Sequence, residues 1–224
     1  MTYLKAMNAR KITSLILKTI IVLSASYGIF LSLSSAPATI LYFTIQSNIW
    51  IGAACLAGIV LMIKKAEIKR WMYTVKLIFT VSITLTGVVY CVLLAPISGA
   101  GAYSPVSVLT HVIVPAASVL DFAVYDYPNL YKKRECLLAT IPPFYYLAFA
   151  GVGYALGWDF NNGEKYPYFF LNWGSPAGAF GFSEESPYIG VVYYVMIMVV
   201  FVIAVGALYI LLAHLIRKIT AGRS

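Results

Sequence analysis

In the stretch YFTIQSNIW, Tyr42 to Trp50, four polar side chains fall in five positions: Thr44, Gln46, Ser47 and Asn48. Further along, LTHVIVP places His111 four residues before Pro115. A threonine hydroxyl is a weak nucleophile until a base within about 3 Å takes its proton, and neutral imidazole suits that task near pH 7. At helical spacing Thr44 shares a face with Ser47 and Asn48, whereas Gln46 points about 200° away. Ser47 and Asn48 are therefore candidates for positioning a substrate or for stabilising an oxyanion beside the hydroxyl.

These residues lie inside apolar runs, so the elements that position them are membrane helices. The 224-residue chain is 61% hydrophobic and only 11% charged, against about a quarter charged in soluble domains. Six runs are long enough to cross a bilayer: about Ile12 to Ser34, Ala38 to Ile63, Trp71 to Leu94, Val106 to Tyr125, Cys136 to Leu156 and Ile189 to Ile216. Lipid excludes open sheet edges, and the alternation of a barrel is absent. The expected fold is an all-α membrane protein, one domain over 1–224 built as a single bundle of six transmembrane helices. A basic start, an apolar run and APA at Ala36 to Ala38 imitate a signal peptide. The reading adopted keeps this segment as the first helix.

The net charge of +8 is placed with a strong bias. Lys5, Arg10, Lys11 and Lys18 precede or open the first run; Lys64, Lys65, Lys69 and Arg70 follow the second; Lys132, Lys133 and Arg134 follow the fourth; Arg217, Lys218 and Arg223 follow the sixth. The opposite loops hold Lys165 beside Asp159, Glu164, Glu184 and Glu185. The positive-inside rule then puts both termini in the cytoplasm of a multi-pass cell-membrane protein. The loop at about 157–188 is long for a connection and dense in aromatic residues, which predicts an ordered exterior cap.

Counted from the exterior ends, Thr44 lies seven residues past Pro37 and His111 six past Pro105. At 1.5 Å per residue both side chains reach roughly 10 Å below the outer face. Polar stripes on the two helices turn toward the bundle interior. Ser, Thr, Asn and Gln also serve as hydrogen-bonding glue between membrane helices, at about 0.6 kcal/mol each, and Gln46 is read that way. An ionisable His111 inside a span is a functional candidate. Asp121 lies about 15 Å deeper, at the level of Lys76 and Lys18, and is read as one partner of a structural ion pair. His214 is expected among the headgroups, and Gly153 with Gly157 as a small-residue packing face.

Several chemistries are excluded. No Gly-x-Ser-x-Gly elbow occurs, and GAG at Gly99 to Gly101 lacks a nucleotide-binding context. Two histidines near opposite faces cannot share a metal or a haem, and the three cysteines read as small apolar side chains. No cofactor, metal or nucleic-acid partner is expected.

Three segments, YFTIQSN (Tyr42 to Asn48), LTHVIVPAASVLDF (Leu109 to Phe122) and YPYFFLN (Tyr166 to Asn172), together resemble the androgen-induced-protein family of six-helix integral membrane hydrolases, in particular its prokaryotic branch. The resemblance implies hydrolysis of fatty acid esters of hydroxy fatty acids, with the threonine nucleophile falling on Thr44 and its histidine partner on His111. The substrate would be a lipid ester entering from the bilayer. Two rival readings of the same residues are a small-solute or proton-coupled transporter and a non-catalytic lipid-binding scaffold.

Overall fold

The computed structural model describes residues 2–126, 131–160, 163–185 and 188–221. Arg223, counted above, lies outside the described residues, as does the side chain of Lys5. Six helices are long and apolar enough to span a membrane. They are α1 (Thr2–Ser35), α2 (Phe43–Ile63), α3 (Arg70–Ile97), α4 (Pro105–Tyr125), α5 (Glu135–Ala155) and α6 (Val191–Ala221). No β-strand forms among the described residues. One end of the bundle carries the α2–α3 and α4–α5 connections with their lysines, and the other carries the 157–188 loop. We call these the basic end and the cap end.

Half of the membrane-crossing stretch of α3 is buried, more than for any other span. It is the central helix, packed against α2, α4, α5 and α6. The helix α1 covers the α2 and α4 side, where Ile21 and Ala25 meet Ile51, Cys55, Ile83, Val114 and Ala117. With lipid on the outside, apolar surface drives little helix association, so close packing and interhelical hydrogen bonds hold the bundle. Ser47 on α2 bonds Thr86 on α3 at 2.8 Å, and Thr84 on α3 bonds Tyr209 on α6 at 2.8 Å.

The second span differs from the expected continuous helix over Ala38 to Ile63. Pro37–Leu41 winds as a 3-10 turn, Tyr42 is extended (φ −83°, ψ 142°), and α2 starts only at Phe43. Tyr146 of α5 donates to the Leu41 carbonyl at 3.0 Å, which satisfies the end of the short turn and lets the chain restart. Thr44 is thus in the first turn of its helix.

Two spans widen locally into π-turns, at Tyr90–Leu94 in α3 and at Leu109–Ile113 and Phe122–Asp126 in α4. The first two precede a proline (Pro96, Pro115) that lacks the N–H needed to continue the ladder. The cap loop is mostly irregular, with a 3-10 turn at Phe169–Leu171 and one bridge between Phe182 and Ile189.

At the basic end, Asp121 is wholly buried and bonds Lys18 Nζ at 2.8 and 2.9 Å, Lys76 Nζ at 2.5 Å and Ser14 Oγ at 2.6 Å. The ionic partnership expected from depth is present. Other expectations need correction. His214 Nε2 lies 3.1 Å from the Tyr131 carbonyl, a contact that ties α6 to the segment before α5. Gly153 faces Trp158 and Phe160 of the cap, and Gly157 ends α5 at φ +70°; the pair is no helix-packing face. Cys91 is exposed, unlike the buried Cys55.

Candidate active site

Thr44 Oγ1 and His111 Nε2 lie 3.2 Å apart at the cap end. The helices that carry them are held in register by Asn48. Its amide nitrogen donates to the Thr44 carbonyl at 2.8 Å and across to the Thr110 carbonyl at 3.2 Å. Two glycines let the neighbouring helices close on the His111 turn. A Cβ on Gly28 of α1 would meet Thr110 Cγ2 at 2.6 Å, and one on Gly87 of α3 would stand 3.0 Å from the His111 carbonyl oxygen. That carbonyl is the one left over by Pro115, which has no N–H to offer it.

The other ring nitrogen decides what His111 can do. Nδ1 lies 3.1 Å from the Ser107 carbonyl and 3.0 Å from Thr110 Oγ1. A carbonyl only accepts, so Nδ1 must carry the proton, and Nε2 presents its lone pair to the Thr44 hydroxyl. The hydroxyl of Thr110 is itself given to the Val106 carbonyl at 2.8 Å, leaving its oxygen able to accept from Nδ1. The ring stacks on Tyr90, with centroids 3.9 Å apart and planes inclined by 20°. Tyr90 is in turn fixed by a hydrogen bond to the Ala102 carbonyl. His111 is therefore locked in orientation and tautomer without a carboxylate.

Ser47 and Asn48 sit on the Thr44 face, as their spacing requires, but neither turns toward the hydroxyl. Ser47 is wholly buried and its Oγ is shared between the Thr44 carbonyl at 3.1 Å and Thr86. Both donors of Asn48 end on carbonyls. Their hydrogens are spent on aligning helices, which removes the motive for reading them as oxyanion donors.

The residue that sequence reasoning missed is Tyr168. The cap loop folds back over the start of α2 and brings Tyr168 Oη to 3.4 Å from Thr44 Oγ1 and 3.3 Å from the Thr44 amide. The ring is fixed by parallel stacking on Phe170 (5.0 Å, 6°) and an edge contact with Tyr42 (5.4 Å). YPYFFLN was visible as a motif; only the fold could show that it lies over Thr44.

An apolar cleft with about 660 Å³ of atom-free space, counting its open mouth, is lined by Thr44 and Tyr168. It descends along α3 from Leu94 to Leu85 and Thr86. That distance is roughly 13 Å at helical rise. Pro143, Phe144 and Leu147 of α5 and Val195, Met198 and Val199 of α6 complete its lining. Phe144 is 48% exposed, so this part of the lining reaches the surface that lipid would cover. No group of metal-ligating side chains occurs among the described residues.

The three segments quoted for their resemblance thus supply Thr44, His111 and Tyr168 to one spot beside an apolar cleft. No protein-family model, curated protein or solved structure matches this chain.

Proposed function

We propose that this protein is an integral membrane hydrolase of lipid esters, with Thr44 as nucleophile and His111 as its base. The observation that supports this most is the 3.2 Å contact between Thr44 Oγ1 and the unprotonated Nε2 of a histidine whose Nδ1 is held by a carbonyl. A transporter has no need of that tautomer, and helix glue has no need of the cleft beside it. The cleft, lined almost wholly by apolar side chains and open toward lipid, suits an acyl chain of an ester drawn from the bilayer. Fatty acid esters of hydroxy fatty acids are the substrate class that the resemblance suggests. The one-sided placement of lysine and arginine supports a cell-membrane orientation with both termini in the cytoplasm and the site toward the outer leaflet.

In this reading the ester carbonyl reaches Thr44 from the cleft. Oγ1 bonds to the carbonyl carbon while its proton passes to His111 Nε2. The alkoxy oxygen then leaves with that proton, giving an acyl-threonine. Water, deprotonated by the same nitrogen, releases the acid and regenerates Thr44. The test is turnover of a fatty acid ester of a hydroxy fatty acid by purified protein in detergent, together with mass-spectrometric mapping of a hydroxyl-directed lipophilic probe. Hydrolysis that disappears in Thr44→Ala, and probe found on Thr44, support the assignment. Undiminished turnover by folded Thr44→Ala overturns it.

A further inference from the structure

Attack by Thr44 and proton transfer to His111 leave one requirement of acyl transfer unmet: a donor for the charge that develops on the carbonyl oxygen. That term is commonly the largest in such catalysis. The donors beside Thr44 on α2 are spent on main-chain carbonyls, as shown for Ser47 and Asn48. His111 does not line the cleft and has its remaining N–H on Ser107. On the cleft side stand the Tyr168 hydroxyl and, behind it, the amide of Thr44.

We propose that Tyr168 is a catalytic residue, donating its phenolic hydrogen to the carbonyl oxygen of the ester in the tetrahedral intermediate. The inference rests on the Thr44–His111 reading and adds to it the group that stabilises the oxyanion. The carbonyl oxygen is two bonds from Oγ1 once the intermediate forms, and Tyr168 Oη, 3.4 Å from Oγ1, is near enough for its hydroxyl to reach an oxygen so placed. The Thr44 N–H belongs to the first turn of α2, where no carbonyl of the preceding turn accepts it. It donates instead to Tyr168 Oη at 3.3 Å, which polarises the phenol; with the Thr44 hydroxyl hydrogen given to His111 Nε2, the phenolic hydrogen is turned toward Oγ1, the atom beside which the oxyanion forms. Stacking on Phe170 and the edge contact with Tyr42 fix the ring before substrate arrives, so little reorganisation is needed.

The electron count closes. When Oγ1 bonds to carbon, the carbonyl π pair moves to oxygen and is held by the Tyr168 O–H; His111 receives the threonine proton. When the intermediate collapses, the pair returns, the bond to the alkoxy oxygen breaks, and His111 protonates the leaving group. Tyr168 keeps its hydrogen throughout. Burial pushes its phenol up to about 12, which keeps it a donor at any physiological pH.

The experiment compares wild type, Tyr168→Phe and Thr44→Ala in detergent, after thermal melts establish that each is folded. Phenylalanine retains the ring and its stacking and removes the hydroxyl. Tyr168→Phe should lower kcat for a long-chain ester by about 10²-fold or more while KM changes little, the usual signature of a lost oxyanion donor. Two ligands separate chemistry from packing. A long-chain trifluoromethyl ketone, which forms a hemiketal at Thr44, should lose affinity by a factor similar to the fall in kcat/KM. The matching long-chain ether should bind as before. If kcat stays near wild type, or if ketone and ether weaken together, Tyr168 is a packing residue and the inference falls. An inactive Thr44→Ala beside a fully active Tyr168→Phe removes this inference alone, whereas an active Thr44→Ala removes the reading beneath it.

Discussion

Thr44 and His111 stand 67 positions apart in the chain and on different helices, yet Oγ1 meets Nε2 at 3.2 Å because Asn48 ties the carbonyl of Thr44 to that of Thr110. A nucleophile and its base act as one unit, so their losses should not add. Thr44→Ala and His111→Ala should each reduce hydrolysis of a long-chain ester by about 10³-fold or more, and the double variant should be little worse than either. Steady-state kinetics of the four proteins check this. A double variant that multiplies the two single losses places the residues in separate roles.

Tyr168 gives a prediction for alkaline pH. Its phenol is raised from 10.0 to about 12, chiefly by burial. Between those values the unfolded chain releases this proton while the folded protein retains it. Stability from this group is therefore complete below pH 10 and is lost as pH rises through the folded value. The loss should approach about 3 kcal/mol once the folded value is passed, since each of the two units is worth about 1.4. Denaturation series from pH 9 to 11.5 should show a shallower decline for Tyr168→Phe than for wild type. Parallel curves would mean that the phenol titrates normally.

Much of this arrangement was legible before any fold was known. Six spans follow from run length alone, because lipid leaves the backbone no alternative to the helix. The meeting of Thr44 and His111 was suggested by equal depth, although the helix counted for Thr44 proved to be broken at Tyr42. What spacing could not give was direction within a face. Ser47 and Asn48 share the Thr44 side yet spend their donors on carbonyls one turn back and across the bundle. The partner of Nδ1 is likewise a main-chain carbonyl, Ser107, which leaves no trace in side-chain identity. Tyr168 was hidden by loop geometry, since nothing in an irregular segment fixes which of its aromatic residues folds back.

Asp121 is held by Lys18 at 2.8 Å and Lys76 at 2.5 Å, all three buried. Removing the carboxylate leaves buried ammonium groups without it, a change that typically costs about 3–5 kcal/mol. Asp121→Ala should lower the melting temperature sharply while turnover per folded molecule persists, because the cluster lies roughly 15 Å deeper than the site by helical rise. Replacing Asp121, Lys18 and Lys76 together with apolar residues of similar size should recover part of the loss. Unchanged stability with vanished turnover would assign the cluster to catalysis.

The proposed orientation is open to labelling. With Cys55, Cys91 and Cys136 replaced, single cysteines at Lys165 in the cap loop and at Lys132 between α4 and α5 should react with an impermeant maleimide on opposite sides. Intact cells should label only the former. Labelling of the Lys132 position from outside would invert the assignment, and with it the leaflet that supplies substrate.

The cleft makes the last prediction, because its length along α3 and its lining by α5 and α6 constrain which esters fit. Val199 of α6 and Leu147 of α5 both line the cleft, and Val199 lies eight residues into α6 from its cap end, roughly 12 Å at helical rise. A large ring at that position fills space that a long acyl chain needs and leaves Thr44 and Tyr168 untouched. Val199→Trp should therefore raise KM for long-chain esters by about tenfold, the worth of one or two displaced methylenes, with kcat largely kept. A short-chain ester should be hydrolysed by the variant almost as well as by wild type. Val199→Ala should have the opposite tendency, tolerating bulkier or branched chains. If both chain lengths respond equally to Val199→Trp, the acyl group does not run down this cleft, and the chain must leave Thr44 by another side.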